Sequence, residues 1–214
     1  MLPEVVEKVY EKIKLEILNN IYLPGQPLTE IPLSEKYGIK RARIRQVIRK
    51  LEKDSLVIRI PGKGAFVTSI TPKDFQAIFE VREALEGMAT RLAARRRKDG
   101  ELEKIIQLFE KNVKMTNAES VQYKKKIGQR LHDFILQSCG NELIIKAIEP
   151  LKMQILRIWQ DSSTFTTERV NNSFKEHKEI LKALKNKDEN MAEAKMKEHV
   201  AIAFKEYLDT IFNK

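Results

Sequence analysis

The sequence predicts a mostly α-helical protein with two parts, an N-terminal winged helix-turn-helix and a C-terminal all-α antiparallel six-helix bundle. Three observations support this fold class. A strongly cationic amphipathic segment lies at residues 40–51, strand-forming runs are confined to residues 56–68, and helical periodicity alone continues from residue 72. Residues 1–70 are therefore predicted to form the first domain and residues 71–214 the second.

The first two helices are predicted from apolar spacing and helix-ending residues. The segment from Val5 to Ile21 has a helical apolar face, and the run Pro24-Gly25-Gln26-Pro27 breaks the chain after it. Residues 28–39 are typical of a short helix that ends at Gly38, because glycine readily adopts left-handed backbone angles. A short turn and the cationic segment follow, which is the helix-turn-helix arrangement at about residues 30–49.

The cationic segment is predicted to be a helix with one buried and one positive face. Residues 40–50 contain six cations and no anion. Exposed helices usually mix charge signs, because opposite charges at i and i+4 stabilise them. A purely positive face therefore indicates a polyanionic partner, although a solvated face is the plainer alternative. The buried face is formed by apolar residues at i, i+3, i+4 and i+7, namely Ile44, Val47, Ile48 and Leu51.

A basic hairpin is predicted directly after this helix. The runs Leu56–Ile60 and Gly64–Thr68 are rich in β-formers and flank Pro61-Gly62-Lys63. A helix-turn-helix followed by such a hairpin is a winged helix.

A set of local motifs is spread over residues 4–70, namely Leu23-Pro24-Gly25-x-x-Leu28-x-Glu30, Leu33-Ser34-Glu35, Gly38-Ile39, Arg41, Ile44-Arg45, Leu51 and the wing Pro61-x-x-Gly64-x-Phe66-Val67. In these motifs the segment resembles the winged helix of GntR-type transcription regulators. The family usually begins its recognition helix with Ser-Arg-x-Pro-Val-Arg-Glu-Ala-Leu. In this chain Lys40, Arg43 and Gln46 replace the usual Ser, Pro and Glu, and each change makes the helix more positive.

The resemblance implies that this module binds double-stranded DNA. We expect Arg41 and Arg45 to contact base edges, since arginine commonly reads O6 and N7 of guanine. Other cations are expected to hold phosphates or the minor groove, which positions the protein without specifying sequence. The predicted DNA-binding residues are Lys40, Arg41, Arg43, Arg45, Arg49, Lys63 and Gly64.

Composition favours an intracellular protein. The 214 residues carry a formal net charge of +10, and 42% of them are apolar. The single cysteine, Cys139, excludes an internal disulfide framework and indicates a reducing compartment. No apolar run approaches the roughly 20 residues needed to span a membrane, and no signal pattern is visible, so we expect a cytoplasmic protein with no membrane partner.

The C-terminal region contains all the histidines of the chain. His132, His177 and His199 lie on the apolar faces of three different predicted helices. A single inward histidine is most often a hydrogen-bonded core residue. Three of them fit a divalent metal site better, because imidazole is the commonest ligand for Zn²⁺ and similar ions, but spacing alone leaves both interpretations open.

The histidines lie in short motifs, namely Leu131-His132 followed by Gly140-Asn141, Glu176-His177-x-x-Ile180 and Met196-x-x-His199. In these motifs residues 75–210 resemble the FCD-type ligand-sensing domain of the FadR-like branch. This resemblance implies a metal held by one Asp and three His, but Gly128 stands where the carboxylate belongs. We expect His132, His177 and His199 to hold Zn or Ni, with water or a bound acid completing the shell. The alternative is a decayed site without metal.

Arg82 is a second polar residue on an apolar face, beside Ile78, Val81 and Leu85. A buried guanidinium needs an anionic partner. An intrahelical pair with Glu86 is the plainer interpretation, and binding of a carboxylate effector near the histidines is the functional one.

Together these features predict a homodimeric transcription regulator. A small organic acid, bound beside the metal, would control operator binding. No catalytic residue is predicted and the protein is not expected to be an enzyme. A zinc-dependent hydrolase is the first alternative, although no Glu is paired with a candidate ligand His as in His-Glu-x-x-His. The second alternative is a constitutive DNA-binding dimer.

Overall fold

The computed structural model describes residues 4–112, 118–160 and 166–212. Its described residues form nine helices and one small antiparallel sheet, which confirms the predicted fold class. The chain divides into two compact units, one of residues 1–74 with 149–161 and one of residues 75–148 with 162–214. The predicted domain boundary at residue 70 stays a prediction.

The elements follow the order predicted from periodicity. The first unit contains α1 (Glu4–Leu18), α2 (Glu30–Tyr37), α3 (Arg41–Lys53), β1 (Val57–Ile60) and β2 (Gly64–Val67). The chain continues with α4 (Pro72–Arg96), α5 (Asp99–Asn112), α6 (Ala118–Ser138), α7 (Glu142–Gln160), α8 (Thr167–Lys185) and α9 (Glu189–Phe212). Helix α1 ends before the predicted Ile21, and Asn20 has a positive φ of 57°, which is incompatible with a continuing helix.

The core of the first unit is formed by the predicted apolar stripe of α3 and the inner face of α1. The four stripe residues are at most 2% exposed. They pack with Val6, Ile13 and Ile17 of α1, which are fully buried. Because this stripe fixes the rotation of α3, the arginines between its members lie on the outer face.

The turn between α2 and α3 depends on Gly38. This residue has φ 64° and ψ 30°, the left-handed conformation that costs other residues strain. Its backbone N–H donates to the carbonyl of Ser34, and the Ser34 hydroxyl donates to the carbonyl of Ile39 at 2.6 Å. These bonds close α2 and start α3 within three residues.

The wing is a two-stranded hairpin held to the rest of the unit by an earlier segment. Val57 pairs with Val67 and Ile60 with Gly64. The backbone of residues 26–28, just before α2, forms hydrogen bonds with the edge of β2 that faces away from β1. Leu28 N–H donates to Ala65 C=O at 2.8 Å, and Val67 N–H donates to Gln26 C=O at 2.9 Å. The wing is thereby fixed beside the start of α2.

Helix α7 contributes to the core of the first unit through its C-terminal half. Met153 is buried in that core, and Leu156 packs against it. Pro150 lies inside the helix, where it removes one backbone hydrogen bond.

The other helices form the second unit, in which α8 packs against α9, α6 and α5. Its core includes Leu131 and Ile135 from α6, Ile180 and Leu184 from α8, and Val200 from α9, all at most 1% exposed. The histidines predicted as metal ligands lie on these same faces. Among the described residues, the helices are too short or too polar to cross a membrane.

Candidate functional site

The first candidate surface is the outer face of α3 together with the wing tip. Every predicted DNA-binding residue there is exposed, as the position of the buried stripe requires. Lys63 and Gly64 lie at the wing tip, and the remainder lie at the start of α3 or along it. This face, which we call the recognition surface, comprises Lys40, Arg41, Arg43, Arg45, Arg49, Lys63 and Gly64.

The N-terminus of α3 concentrates positive potential at one end of the recognition surface. Lys40 occupies the N-cap position, where its side chain makes no capping bond. A helix N-terminus carries partial positive charge, and here Arg41 and Arg43 stand in the first turn with no acidic residue. The combination attracts phosphate more strongly than either feature alone.

One acidic residue contacts the recognition surface, and the sequence interpretation assigned it no role. The Arg45 Nε donates to both carboxylate oxygens of Glu30, at 2.7 and 2.8 Å. The Arg41 Nε lies 3.7 Å from Oε2 of the same carboxylate. The hydrogen bond from Arg45 lowers the pKa of Glu30, and the nearby charges of Arg41 and Arg59 lower it further.

The second candidate site is formed by the three histidines, which α6, α8 and α9 bring together. The His177 Nε2 lies 3.1 Å from the His132 Nε2 and 3.2 Å from the His199 Nε2. All three residues are buried. Nitrogen ligands at about 2.0–2.1 Å from one metal lie about 3.0–3.4 Å apart, so these two distances fit a divalent transition ion, and the ligand atoms of all three histidines lie within 4.8 Å of one another.

Two carboxylates orient the outer edges of these imidazoles. The His132 Nδ1 lies 2.6 Å from Glu86 Oε2, and the His199 Nδ1 lies 2.6 Å from Glu176 Oε2. An Nδ1–H donated to a carboxylate fixes the tautomer that leaves Nε2 available to a metal. The sequence lacks the His-Glu-x-x-His motif, and in the structure each of these two histidines is instead paired with a glutamate of another helix. The glutamates contact the outer nitrogens, however, and do not occupy the position of a general base beside a metal.

Each of these carboxylates is also paired with an arginine. Arg82 Nε donates to Glu86 Oε1 at 2.5 Å, and Arg169 Nη1 donates to Glu176 Oε1 at 2.7 Å. Burial alone would raise the pKa of Glu86, but the charge of Arg82 and the hydrogen bond from His132 hold it below its usual range. The intrahelical pair between Arg82 and Glu86 predicted from sequence is present, and Arg82 is only 1% exposed.

Gly128 makes room for the central imidazole. A Cβ atom at this position would lie 2.7 Å from His177 Cε1, closer than real Cβ contacts. The resemblance places a carboxylate at this position, whereas in the structure the ring of His177 occupies the space beside Gly128. A larger residue at position 128 would therefore force the ring of His177 out of its present position.

Burial controls the protonation of two of these histidines. It lowers the pKa of His177 and of His199 well below the usual value of 6.5, and the charges of the neighbouring histidines and arginines act in the same direction. Both side chains are therefore neutral at neutral pH, which is the form that binds metals.

We expect the chelator-treated protein to lose stability as the pH falls below 6.5, the usual histidine pKa. Below that value the unfolded chain binds protons at positions 177 and 199 that the folded chain does not, so the free energy of unfolding decreases with decreasing pH. Urea unfolding at about pH 7.5, 6.5 and 5.5 measures this effect. Replacing both residues with glutamine, which does not titrate, should reduce the dependence, and an unchanged slope in that variant would contradict the assignment.

Comparison with known proteins gives two family matches. The model described as "Bacterial regulatory proteins, gntR family" matches residues 5–67, and the model described as "FCD domain" matches residues 77–201. Together these two ranges include both candidate sites.

Curated relatives and solved structures agree with these matches. The HTH-type transcriptional regulator YdhC of Bacillus subtilis is 26% identical over 91% of this chain and 85% of its own length. The HTH-type transcriptional repressor RspR of Escherichia coli is 21% identical over 92% of this chain and 86% of its own. The structure of E. coli McbR/YncC superposes with a TM-score of 0.71 at 18% identity, over 96% of this chain and 99% of that one. The two curated relatives are named as a transcriptional regulator and a transcriptional repressor.

Proposed function

Since this chain belongs to the GntR family of bacterial transcription regulators and carries an FCD domain, we propose that a small organic acid controls its operator binding from a metal-containing pocket. DNA-binding transcription regulation is the function of the family, and a hydrolase is not supported. The observation that carries the proposal is that one chain combines an exposed face on α3, cationic from residue 40 to residue 50, with a buried group of three converging imidazoles.

The recognition surface is proposed to lie along the major groove. Arg41 and Arg45 stand in the N-terminal half of α3, the part of a recognition helix that lies nearest the bases. We assign them to base edges. Phosphate or minor-groove contacts are assigned to Lys40, Arg43 and Arg49 on the helix and to Lys63 and Gly64 at the wing tip.

The pocket is proposed to hold Zn²⁺ or Ni²⁺ on His132, His177 and His199. The spacing of their Nε2 atoms and the two orienting carboxylates support this assignment. When bound to three neutral nitrogens, such an ion keeps its full positive charge and offers further positions to an oxygen ligand.

The effector is proposed to be a small carboxylate beside these histidines. The buried guanidinium of Arg82 supports this class of ligand, because its positive charge is near enough to lower the pKa of both His177 and His199. Arg82 also holds Glu86, so an acid bound there would share the guanidinium with that residue. Control of DNA binding requires that the acid bind one arrangement of the protein more tightly than the other.

A homodimer is proposed as the DNA-binding form. Helix α4 leaves an apolar stripe exposed at spacings of four, three and four residues, which is the geometry of a helix-packing face. A two-fold dimer reads a pseudo-palindrome whose half-sites are about one helical turn, or multiples of one, apart. The stripe consists of Ala77, Val81, Ala84 and Met88.

A constitutive DNA-binding dimer with a decayed metal site is the second candidate. The glycine at position 128 favours it, because the carboxylate of the family shell is absent. The two candidates differ in solution. If the protein is an acid-controlled regulator, Zn²⁺ together with one of a panel of small carboxylic acids raises the unfolding temperature and changes the affinity for a duplex. If it is a constitutive dimer, neither quantity changes.

We expect duplex binding to weaken steeply with salt, because phosphate contacts release counterions. Replacing Lys63 with alanine should reduce the magnitude of the slope of log K against log salt by about one, with little change in base preference. Fluorescence anisotropy on a labelled duplex gives the slope, and light scattering gives the number of chains bound. Lys104→Ala, which removes an exposed charge from α5, is the matched control and should leave the slope unchanged. Salt-independent binding would contradict the proposal.

A further inference from the structure

Glu30 lies against the face of α3 that the proposed function places on DNA. It begins α2, and its carboxylate contacts Arg45 through both oxygens at 2.7 and 2.8 Å. Arg41 and Arg45 are four residues apart on one helix face, where like charges repel. The carboxylate of Glu30 lies between the two guanidinium groups and offsets their repulsion. The Glu30 side chain is 27% exposed.

The contact uses one edge of the Arg45 guanidinium. Both oxygens of Glu30 contact Nε, whereas bidentate recognition of guanine uses a pair of guanidinium N–H groups, for which the Nη1–Nη2 edge remains. The Arg45 side chain stays 53% exposed despite the contact. A base can therefore reach the arginine while the carboxylate holds it.

We propose that Glu30 is a specificity-determining positioning residue, which holds Arg45 by its Nε edge so that the opposite edge is presented to a guanine. The inference rests on the proposed function, because it needs Arg45 to read a base. An arginine already held in its binding conformation loses less freedom on binding than a mobile one. Its planar fork must also meet O6 and N7 together, so orientation affects discrimination more than total attraction.

The competing interpretation is that Glu30 only repels DNA. A carboxylate close to a phosphate-binding face lowers affinity for every duplex, and its removal would strengthen binding without changing base preference. Glu35 distinguishes the two roles. It lies on the same short helix and is exposed, and among the described residues it forms no ion pair. Removing either carboxylate changes the net charge equally, but only Glu30 contacts Arg45.

The experiment compares base preference among full-length variants. The wild type and the variants Glu30→Ala, Glu35→Ala and Arg45→Ala each select from a duplex pool with about twenty randomised base pairs, and the recovered pools are sequenced. Arg45→Ala identifies the guanine position that Arg45 reads. At that position we expect Glu30→Ala to lower the preference for guanine about three- to tenfold, and Glu35→Ala to keep it within about twofold. Glu30→Gln retains an acceptor for Nε, and its preference should lie between those of the wild type and Glu30→Ala.

The remaining outcomes are distinct. Equal preferences in Glu30→Ala and Glu35→Ala, or tighter binding by Glu30→Ala with its preference unchanged, overturn the positioning role and leave the proposed function standing. If Arg45→Ala keeps the full base preference of the wild type, both the positioning role of Glu30 and the proposed contact of Arg45 with a base are overturned. Thermal unfolding of each variant shows whether α2 is intact, and Glu30→Gln provides the decisive comparison if Glu30→Ala does not fold.

Discussion

Replacing His177 with alanine is expected to lower the affinity for Zn²⁺ or Ni²⁺ by at least about a hundredfold, because changes to orienting residues alone typically cost 10–100-fold. His177 is the central residue of the three, with its Nε2 within 3.2 Å of the Nε2 atoms of both His132 and His199. Without it only two nitrogens remain, and two neutral ligands do not hold a divalent ion against water. Elemental analysis after purification without chelator, followed by metal titration, measures the loss.

A graded control distinguishes loss of a ligand from general damage to the bundle. Glu176→Gln keeps all three imidazoles but weakens the acceptor that holds the His199 Nδ1. We expect its metal affinity to fall about tenfold, less than in His177→Ala. A metal content in His177→Ala equal to that of the wild type would show that the ion is bound elsewhere. A wild-type protein that takes up no metal would favour the constitutive dimer.

Replacing Arg45 with alanine is expected to lower operator affinity by about 1–3 kcal/mol and to relax the preference at one base pair. The reason is that a bidentate arginine–guanine pair supplies discrimination as well as attraction. Binding constants on the selected duplex, and on the same duplex with that guanine replaced, measure the two effects separately.

Arg43 offers a matched comparison on the same face. It is exposed, and its Nη1 donates to Gln46 Oε1 at 3.2 Å. Because we assign it to phosphate, Arg43→Ala should weaken binding to all duplexes similarly and reduce the salt dependence. The assignment of the recognition helix would be wrong if Arg45→Ala bound both duplexes as the wild type does.

Local periodicity was sufficient to predict most of the fold. The stripe at Ile44, Val47, Ile48 and Leu51 fixed which face of α3 is buried, and that face alone determined the exposure of the arginines. Gly38 marked the turn because few other residues adopt its backbone angles without strain. These features depend on residues close in sequence, for which spacing is informative.

The candidate metal site was predictable only in part. Helix faces indicated that three histidines point inward, but their convergence depends on how α6, α8 and α9 pack. Glu86 and Glu176 were missed as orienting residues because their histidine partners lie 46 and 23 positions away. Glu176 precedes His177 in sequence, whereas its carboxylate contacts His199 on the next helix. The sequence did contain one signal that Glu86 is buried near the histidines, because it lies on the same buried face of α4 as Arg82.

Gly128 shows a different limit of sequence reasoning. Its identity indicated only that the family carboxylate is missing. Whether a neighbour fills such a position depends on side-chain packing, and here the ring of His177 does so. Restoring aspartate by one substitution would therefore introduce a steric conflict together with the missing ligand.

The contribution of α7 to the N-terminal core limits how the DNA-binding head can be isolated. Met153 and Leu156 pack against residues that come from the first seventy. A truncated protein that stops at residue 70 would expose to water the apolar atoms that these two side chains cover, and such surfaces promote aggregation. A head intended for crystallisation with an oligonucleotide should therefore carry the second half of α7 on a linker, or polar replacements where Met153 now packs.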